Sequence, residues 1–221
     1  MWDIDGTLLN VNRPNSVSPH KNVLQKKGLL PHSSINEFSG FTDYEVLLAL
    51  IQANGSSADQ ELLMSAFMDL DEESNSLDAI SNFNLCPGVQ TILKSLTSQG
   101  WVHGILTGNT ATRLNSKLHK TAIDKNFSSE FIFGCNYGDS RKNIVERAKN
   151  YLSNSNFSTL LVIGDTPNDI LTAKTASLPV IAVATGRYSK VELEFYNPDL
   201  VIKDLIIDDK KFFNFLGELI L

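Results

Sequence analysis

The chain has 221 residues, 42% of them apolar and 20% charged, with a net charge of −6; this composition fits a globular core with a smaller insertion and excludes disordered or fibrous classes. The acidic balance, without a cluster of Lys and Arg, gives nucleic acid little to bind, so a small ligand is the expected partner. Without an apolar run of roughly 18 residues or a signal-peptide pattern, we expect no membrane partner and a cytoplasmic location.

The chain opens on two carboxylates, Asp3 and Asp5, followed by Gly6 and Thr7. Residues two apart on an extended segment point to the same side, so the two acids lie close together. Such a pair is reasonable beside a divalent cation, or where one carboxyl keeps a proton for use as an acid. The alternative is an Asp-Gly turn with solvated acids, which this segment alone does not exclude.

Residues 12–85 carry helix signals and no convincing strand. Ser18 followed by Pro19 predicts a helix start, and Gly28 its end. Two later pairs have capping-box spacing: Thr42 with Glu45, and Ser57 with Gln60. We therefore predict a helical insertion, whose last stretch, residues 71–84, is polar and rich in Ser and Asn and leads into a return hinge at 86–88.

From residue 86 onward, short apolar runs alternate with helical patterns, which predicts a doubly wound parallel sheet of the Rossmann type. The predicted strands cover residues 102–106, 131–133, 160–163, 180–183 and 200–202. The predicted helices cover residues 89–98, 111–120, 142–152 and 169–176.

Polar side chains follow two of these strands. Asp165 and Asp169 come after the strand that ends at residue 163, and Thr107-Gly108-Asn109 come after the strand that ends at 106. Ligands of open parallel sheets bind at the carboxyl ends of the strands, where these groups and the first acids would meet. The alternatives are a helix N-cap for Thr107 and a turn acid for Asp165.

Three segments resemble, in order, motifs of the haloacid dehalogenase superfamily: residues 3–8 the first, residues 106–109 the second and residues 164–169 the fourth. The resemblance covers the whole chain, and the subgroup that the chain looks most similar to is the phosphoglycolate phosphatase-like one. It implies a Rossmann-like core, at residues 1–11 and 86–221, with an α-helical cap domain inserted at residues 12–85.

The resemblance also implies roles for the matching residues. Asp3 would be the nucleophile that forms an aspartyl phosphate, and Asp5 the general acid and base. Mg²⁺ would be held by the carboxylates of Asp3 and Asp165 and the backbone carbonyl of Asp5, with Asp169 a further ligand or an acceptor beside it. The phosphate would be held by the second motif: Thr107, Gly108 and Asn109.

The third motif of the family is a Lys or Arg near a helix start, and Arg141 and Lys142 are both candidates. This cation would neutralise charge on the transferring phosphoryl group. We favour Arg141, because relatives with a similar Gly-Asp-x-x-x-Arg pattern place it there.

A cap turn at Gly40-Phe41-Thr42-Asp43 resembles one that reaches the substrate in phosphoglycolate phosphatase-like relatives, which makes Gly40 and Thr42 candidate substrate-binding residues. A capping box explains Thr42 equally well. His20, His32, His103 and His119 match no motif and are interpreted as ordinary surface or core residues.

The predicted function is a magnesium-dependent phosphatase that hydrolyses a small phosphomonoester. Three alternatives stay open: a phosphosugar mutase on the same core, a metal-free haloacid dehalogenase, and a non-catalytic binding protein. The acids at Asp5 and at residues 165–169 argue against the dehalogenase.

The segment that carries Asp3 should lie in the middle of the sheet, between the strands that end at Leu106 and Ile163. A typical strand has about five or six residues, yet Met1 and Trp2 alone precede the nucleophile. We therefore expect the natural protein to begin several residues earlier, or the numbered chain to be a trimmed version of it.

Overall fold

A parallel sheet forms the centre of the protein in a computed structural model, which describes residues 1–12, 18–31, 38–55 and 60–220. The pairs β3 with β4, β5 with β6, and β6 with β7 are all parallel. The five strands are β3 (Ile105–Leu106), β4 (Ile132–Phe133), β5 (Val162–Gly164), β6 (Val180–Val183) and β7 (Leu200–Ile202).

Trp2 joins the two halves of this sheet. It forms parallel bridges with Ile105 of β3 and Ile163 of β5, so the order across the sheet is β4, β3, Trp2, β5, β6, β7. The Trp2 amide donates to Gly104 O over 2.9 Å, and the Asp3 amide donates to Ile163 O over 2.9 Å. The predicted central position of the Asp3 segment is confirmed.

Helices cover both faces of the sheet, which confirms the doubly wound architecture. Because side chains alternate along a strand, Ile163 and Ile181 pack on the face covered by α4, α5 and α9. Val162 and Val180 pack on the other face, with α7 and α8; α6 packs there against Leu106. The six helices are α4 (Val89–Ser98), α5 (Ala111–Lys120), α6 (Arg141–Leu152), α7 (Pro167–Thr175), α8 (Lys190–Glu194) and α9 (Asp209–Ile220).

Three further helices form the cap: α1 (Pro19–Lys26), α2 (Asp43–Ala53) and α3 (Gln60–Asp78). They enclose an apolar core of their own, which includes Leu24, Leu47 and Leu70. Ser18 is the N-cap of α1 and Thr42 opens α2 with a capping box, as predicted. The box predicted at Ser57 lies outside the described residues.

The prediction that residues 12–85 hold no strand was wrong. β1 (Leu9–Asn12) pairs antiparallel with β2 (Asn82–Leu85), with Leu9 opposite Leu85. Helix α3 continues into the polar, Ser/Asn-rich stretch and ends at Asp78. The partly buried Phe83 and Leu85 pack against the core cluster, which explains the strand. Because this ribbon lies outside the parallel sheet, the predicted domain boundaries at residues 11, 12, 85 and 86 stay a prediction.

Most remaining elements fall where the sequence predicts them, with shifted ends. The strands predicted at 102–106 and 160–163 are shorter, because parallel pairing begins at Ile105 and Val162. Helix α7 begins earlier than predicted, at Pro167, after its N-cap Thr166. Across the described ranges, each helix is too short or too polar to cross a bilayer.

Candidate active site

The carboxyl ends of three neighbouring segments bring the predicted motifs together. Asp3 follows Trp2, Thr107 follows β3 and Asp165 follows β5, and all three residues are buried. Parallel strands present the same end to one edge of a sheet, which is why residues more than 150 positions apart meet.

Asp3, Asp165 and Asp169 form an acidic cluster. One carboxylate oxygen from each residue lies within 4.8 Å of the other two, and all three residues are buried. The guanidinium of Arg141 donates to Asp3 Oδ1 over 2.7 Å and also to Asp169 Oδ1. One guanidinium therefore accompanies three buried carboxylates and bonds to two of them.

This imbalance of charge changes the pKa values of the acids. Burial, the largest effect, and the nearby carboxylate of Asp169 raise the pKa of Asp3 to about 7, although Arg141 opposes the shift. Burial and the charges of Asp3 and Asp169 also raise the pKa of Asp165. Uncompensated buried carboxylates fit a hard divalent cation, because oxygen ligands are what Mg²⁺ prefers.

Backbone segments on both sides fix the position of Asp165. A Cβ atom at Gly6 would lie 2.2 Å from Asp165 Oδ2, and one at Gly186 would lie 1.8 Å from the same atom. Thr7 donates a hydrogen bond to Asp165 Oδ1 over 3.0 Å. The hydroxyl of Thr185 donates to Gly6 O over 2.5 Å and joins the two segments. Glycine is thus required where the chain passes closest to this carboxylate.

Asp5 lies beside the acidic cluster and bonds to other partners. Lys117 Nζ lies 2.5 Å from Asp5 Oδ2, and Asn109 Nδ2 donates to the same oxygen over 2.8 Å. The Asp5 side chain is 46% exposed. Partial desolvation raises the pKa of Asp5, but the Lys117 and Asn109 contacts outweigh it, and the pKa is lowered. Sequence reasoning missed Lys117.

The loop after β3 keeps its polar groups at the site. Thr107 Oγ1 accepts from the amide of Asn109 over 3.3 Å and from its Nδ2 over 2.8 Å. The N-cap of α5 is Thr110, so the alternative interpretation of Thr107 as a helix cap was wrong. Thr107, Gly108 and Asn109 all line the cavity in front of Asp3.

Arg141 and Lys142 point in different directions although they are neighbours. Arg141 is buried against Asp3 and Asp169. The Lys142 side chain is 63% exposed and lies 3.7 Å from Glu146, one turn further along α6. Successive helical residues lie about 100° apart around the axis, so the first two residues of α6 cannot both point toward the acidic cluster. Lys142 therefore lies on the outside of α6, and a catalytic role for it stays a prediction.

The cap turn presses directly on the core loops. A Cβ atom at Gly40 would lie 2.4 Å from Thr166 Oγ1, and one at Gly108 would lie 2.6 Å from Phe41 O. The amide of Asp43 donates to Gly108 O over 2.8 Å. Gly40, Phe41 and Asp43 line the cavity.

Thr42 has a structural role in this turn. Its hydroxyl accepts from the amide of Glu45 over 3.1 Å and donates to Asp139 O over 2.7 Å. Thr42 is fully buried and lies outside the described lining of the cavity. The capping box therefore explains Thr42, and a substrate-binding role for it stays a prediction.

A second buried group of charges, the cap cluster, consists of His20, Asp43 and Arg113. Asp43 Oδ1 bonds to the Arg113 guanidinium and lies 2.9 Å from His20 Nε2, and Asp43 Oδ2 accepts from the Thr110 amide over 2.8 Å. Burial raises the pKa of Asp43, but Arg113 and His20 outweigh it and hold the pKa well below its usual value. Burial lowers the pKa of His20.

Asp3 of the acidic cluster and all three residues of the cap cluster line one cavity of about 210 Å³. The core supplies Asp3, Asp5 and Arg141, and the cap supplies His20, Phe38 and Val46. Another cavity, of about 220 Å³, lies at the amino ends of the strands and is lined largely by apolar groups such as Trp101 and Phe157. The chemistry-bearing side chains converge on the first cavity.

The chain belongs to the family of haloacid dehalogenase-like hydrolases, whose family model matches residues 1–183. The resemblance inferred from the motifs and the prediction of an enzyme of this type are therefore confirmed. The comparison with curated protein sequences found no match.

Solved structures share this fold. A predicted phosphatase from Clostridium acetobutylicum is 20% identical, covers 96% of each chain and has a TM-score of 0.74. A predicted phosphoglycolate phosphatase from Haemophilus somnus is 19% identical, with 96% of this chain and 95% of the other covered and a TM-score of 0.69. A provisionally named β-phosphoglucomutase from Bacteroides vulgatus is 19% identical, with coverages of 99% and 88% and a TM-score of 0.73. At these identities the likeness supports the fold alone.

Proposed function

We propose that the chain is a magnesium-dependent phosphatase that hydrolyses a small phosphomonoester through an aspartyl phosphate on Asp3. The observation that carries the proposal is the acidic cluster of Asp3, Asp165 and Asp169, buried in front of the cavity with one guanidinium among three carboxylates. An excess of buried negative charge is costly without a bound cation.

The metal would be held by the carboxylates of Asp3 and Asp165 and by the backbone carbonyl of Asp5. Asp169 gives its two oxygens to Arg141 and to Thr166, so we assign it the role of orienting these groups beside the metal. Bound there, Mg²⁺ would neutralise charge on the phosphoryl oxygens.

In the first step, a carboxylate oxygen of Asp3 forms a bond to phosphorus while the bond from phosphorus to the leaving oxygen breaks. Asp5 gives that oxygen a proton that it must first bind, because its contacts with Lys117 and Asn109 favour the ionised carboxylate. Thr107 and Gly108 hold the phosphoryl group. Arg141 donates to Asp3 and keeps its carboxylate in place. In the second step, Asp5 takes a proton from water, the water oxygen bonds to phosphorus, and phosphate leaves Asp3.

Two measurements test the proposal. The purified chain should release phosphate from p-nitrophenyl phosphate with Mg²⁺, and should lose this activity with a chelator. Acid quenching during turnover should trap a phosphoenzyme whose labelled peptide contains Asp3. Activity that is unchanged by the chelator would contradict the metal role, and a label on another residue would contradict the nucleophile.

A further inference from the structure

The cap cluster occupies the side of the cavity where the leaving group would lie. Arg113 and Asp43 form an ion pair whose side chains are 5% and 6% exposed. His20 and the Thr110 amide complete the bonding of the Asp43 carboxylate. The charge of Arg113 is therefore neutralised within the cavity wall, and the wall stays polar without a net charge.

Two other buried cations near the cavity are also paired. Lys117 pairs with Asp5, and Arg141 pairs with Asp3 and Asp169. Among the described residues, Arg113, Lys117 and Arg141 thus each already bond to a carboxylate, so a second anionic group on the substrate would meet no unpaired cation of these three.

We propose that Asp43 and Arg113 set the leaving-group specificity: they select small phosphomonoesters of uncharged alcohols or polyols and reject those whose leaving group carries a carboxylate. The inference rests on the proposed phosphatase function. A carboxylate beside Asp43 would suffer like-charge repulsion in a site shielded from water, where an unpaired charge is costly.

A hydroxyl group suits the same wall. The Nε–H of Arg113 is buried and has no hydrogen-bond partner among the described residues. An alcohol oxygen can accept from such a donor without bringing charge. The cavity of about 210 Å³ is also small, since ligand pockets commonly have roughly 300–1,000 Å³. Room remains for a leaving group of a few carbon atoms beside the phosphate.

Two matched substrate pairs test the inference in the wild-type enzyme. The first pair is 2-hydroxyethyl phosphate and phosphoglycolate, and the second is glycerol 3-phosphate and 3-phosphoglycerate. In each pair the first compound has a CH₂OH group where the second has a carboxylate. We expect kcat/KM for phosphate release to favour the alcohol of each pair by about tenfold or more. Equal or faster release from the acids would overturn the inference.

Asp43→Asn gives a second test, because it leaves the charge of Arg113 unmatched. The ratio of acid to alcohol hydrolysis should rise about tenfold or more, and the double variant Asp43→Asn with Arg113→Gln should return it to the wild-type ratio. An unchanged ratio in a folded Asp43→Asn protein, judged by circular dichroism, would overturn the inference. If the variant does not fold, the wild-type pairs decide.

Binding without turnover separates this inference from the proposed function. Wild-type protein with Mg²⁺ is titrated calorimetrically with non-hydrolysable phosphonate analogues of the first pair, 3-hydroxypropylphosphonate and 3-phosphonopropionate, and the alcohol should bind about tenfold or more tightly. Tighter binding of the acid would overturn the inference. If the binding preference holds while the wild-type chain releases no phosphate from any substrate, including p-nitrophenyl phosphate, the phosphatase proposal fails and the specificity survives.

Discussion

The acidic cluster and the cap cluster are both buried at one cavity, yet their charges balance differently. In the acidic cluster, Arg141 bonds to two of the three carboxylates, and the pKa values of Asp3 and Asp165 are raised. One carboxylate meets Arg113 and His20 in the cap cluster, and the pKa of Asp43 is lowered. All of these acids are buried, so burial does not explain the opposite shifts. The number of cationic partners does: an acid with few of them favours a bound cation, and an acid with enough of them leaves the cavity wall without a net charge.

Asp3→Asn should break the acidic cluster most severely. The amide is nearly isosteric but cannot attack phosphorus, so turnover of p-nitrophenyl phosphate should fall by at least about three orders of magnitude. The melting temperature should not fall, because the change removes like-charge repulsion. Residual activity above about 1% of wild type would contradict the covalent role.

Arg141→Gln tests the one guanidinium of that cluster, with Lys142→Gln as the matched control. Loss of a buried group that neutralises the phosphoryl charge should lower kcat by about 10²–10³. Lys142 is exposed on the same helix, so its change should alter the free energy of unfolding by less than about 0.5 kcal/mol and activity by less than about twofold. Equal losses in both variants would contradict the different placement of the two side chains.

Gly186→Ala should weaken the metal site without removing a carboxylate. A new Cβ would clash with Asp165 Oδ2, which it would approach to 1.8 Å. The Mg²⁺ concentration for half-maximal activity should rise about 10- to 100-fold, the usual cost of disturbing a group that orients a ligand. Gly217→Ala in α9, where a Cβ meets nothing within 4 Å, is the control and should leave this concentration unchanged. A normal Mg²⁺ requirement in Gly186→Ala would show that Asp165 tolerates displacement.

The smallest effect is expected for Thr42→Val on the cap side. The variant loses an N-cap and the bond to Asp139 O, so the free energy of unfolding should fall by about 1–2 kcal/mol. Ser189→Ala removes the exposed N-cap of α8, and should cost less because it breaks no contact between cap and core. Thermal melting compares them. A larger loss of stability in Ser189→Ala would contradict a stabilising role for the hydrogen bond from Thr42 to Asp139 O.

The sequence predicted the parts of the site that follow strands. Asp3, Thr107 and Asp165 could be found because a parallel sheet collects strand ends at one edge. Arg141 was favoured from its motif, and its position relative to Lys142 follows from helix geometry. These residues could be predicted because their positions depend on short sequence motifs and on the rule that parallel strands end at one edge of a sheet.

The parts contributed by helix faces could not be predicted in the same way. Arg113 and Lys117 lie four residues apart on α5 and are buried like their neighbours Leu114 and Leu118. Charged residues in register with an apolar stripe indicate buried charges, but the pattern does not reveal which residues they bond to. Asp43 and His20 meet Arg113 only through packing of the cap, which the sequence leaves open.

Helix α5 makes the cap and the core a single mechanical unit. Along one side, Thr110 bonds to Asp71, Arg113 to Asp43, and Ser116 to Asp78, while Lys117 holds Asp5. Separation of the cap from the core would therefore break the bonds that Asp71, Asp43 and Asp78 make to α5 and its N-cap. The same helix holds the Asp5 carboxylate through Lys117, so one rigid element links the contacts of the cap to the position of Asp5.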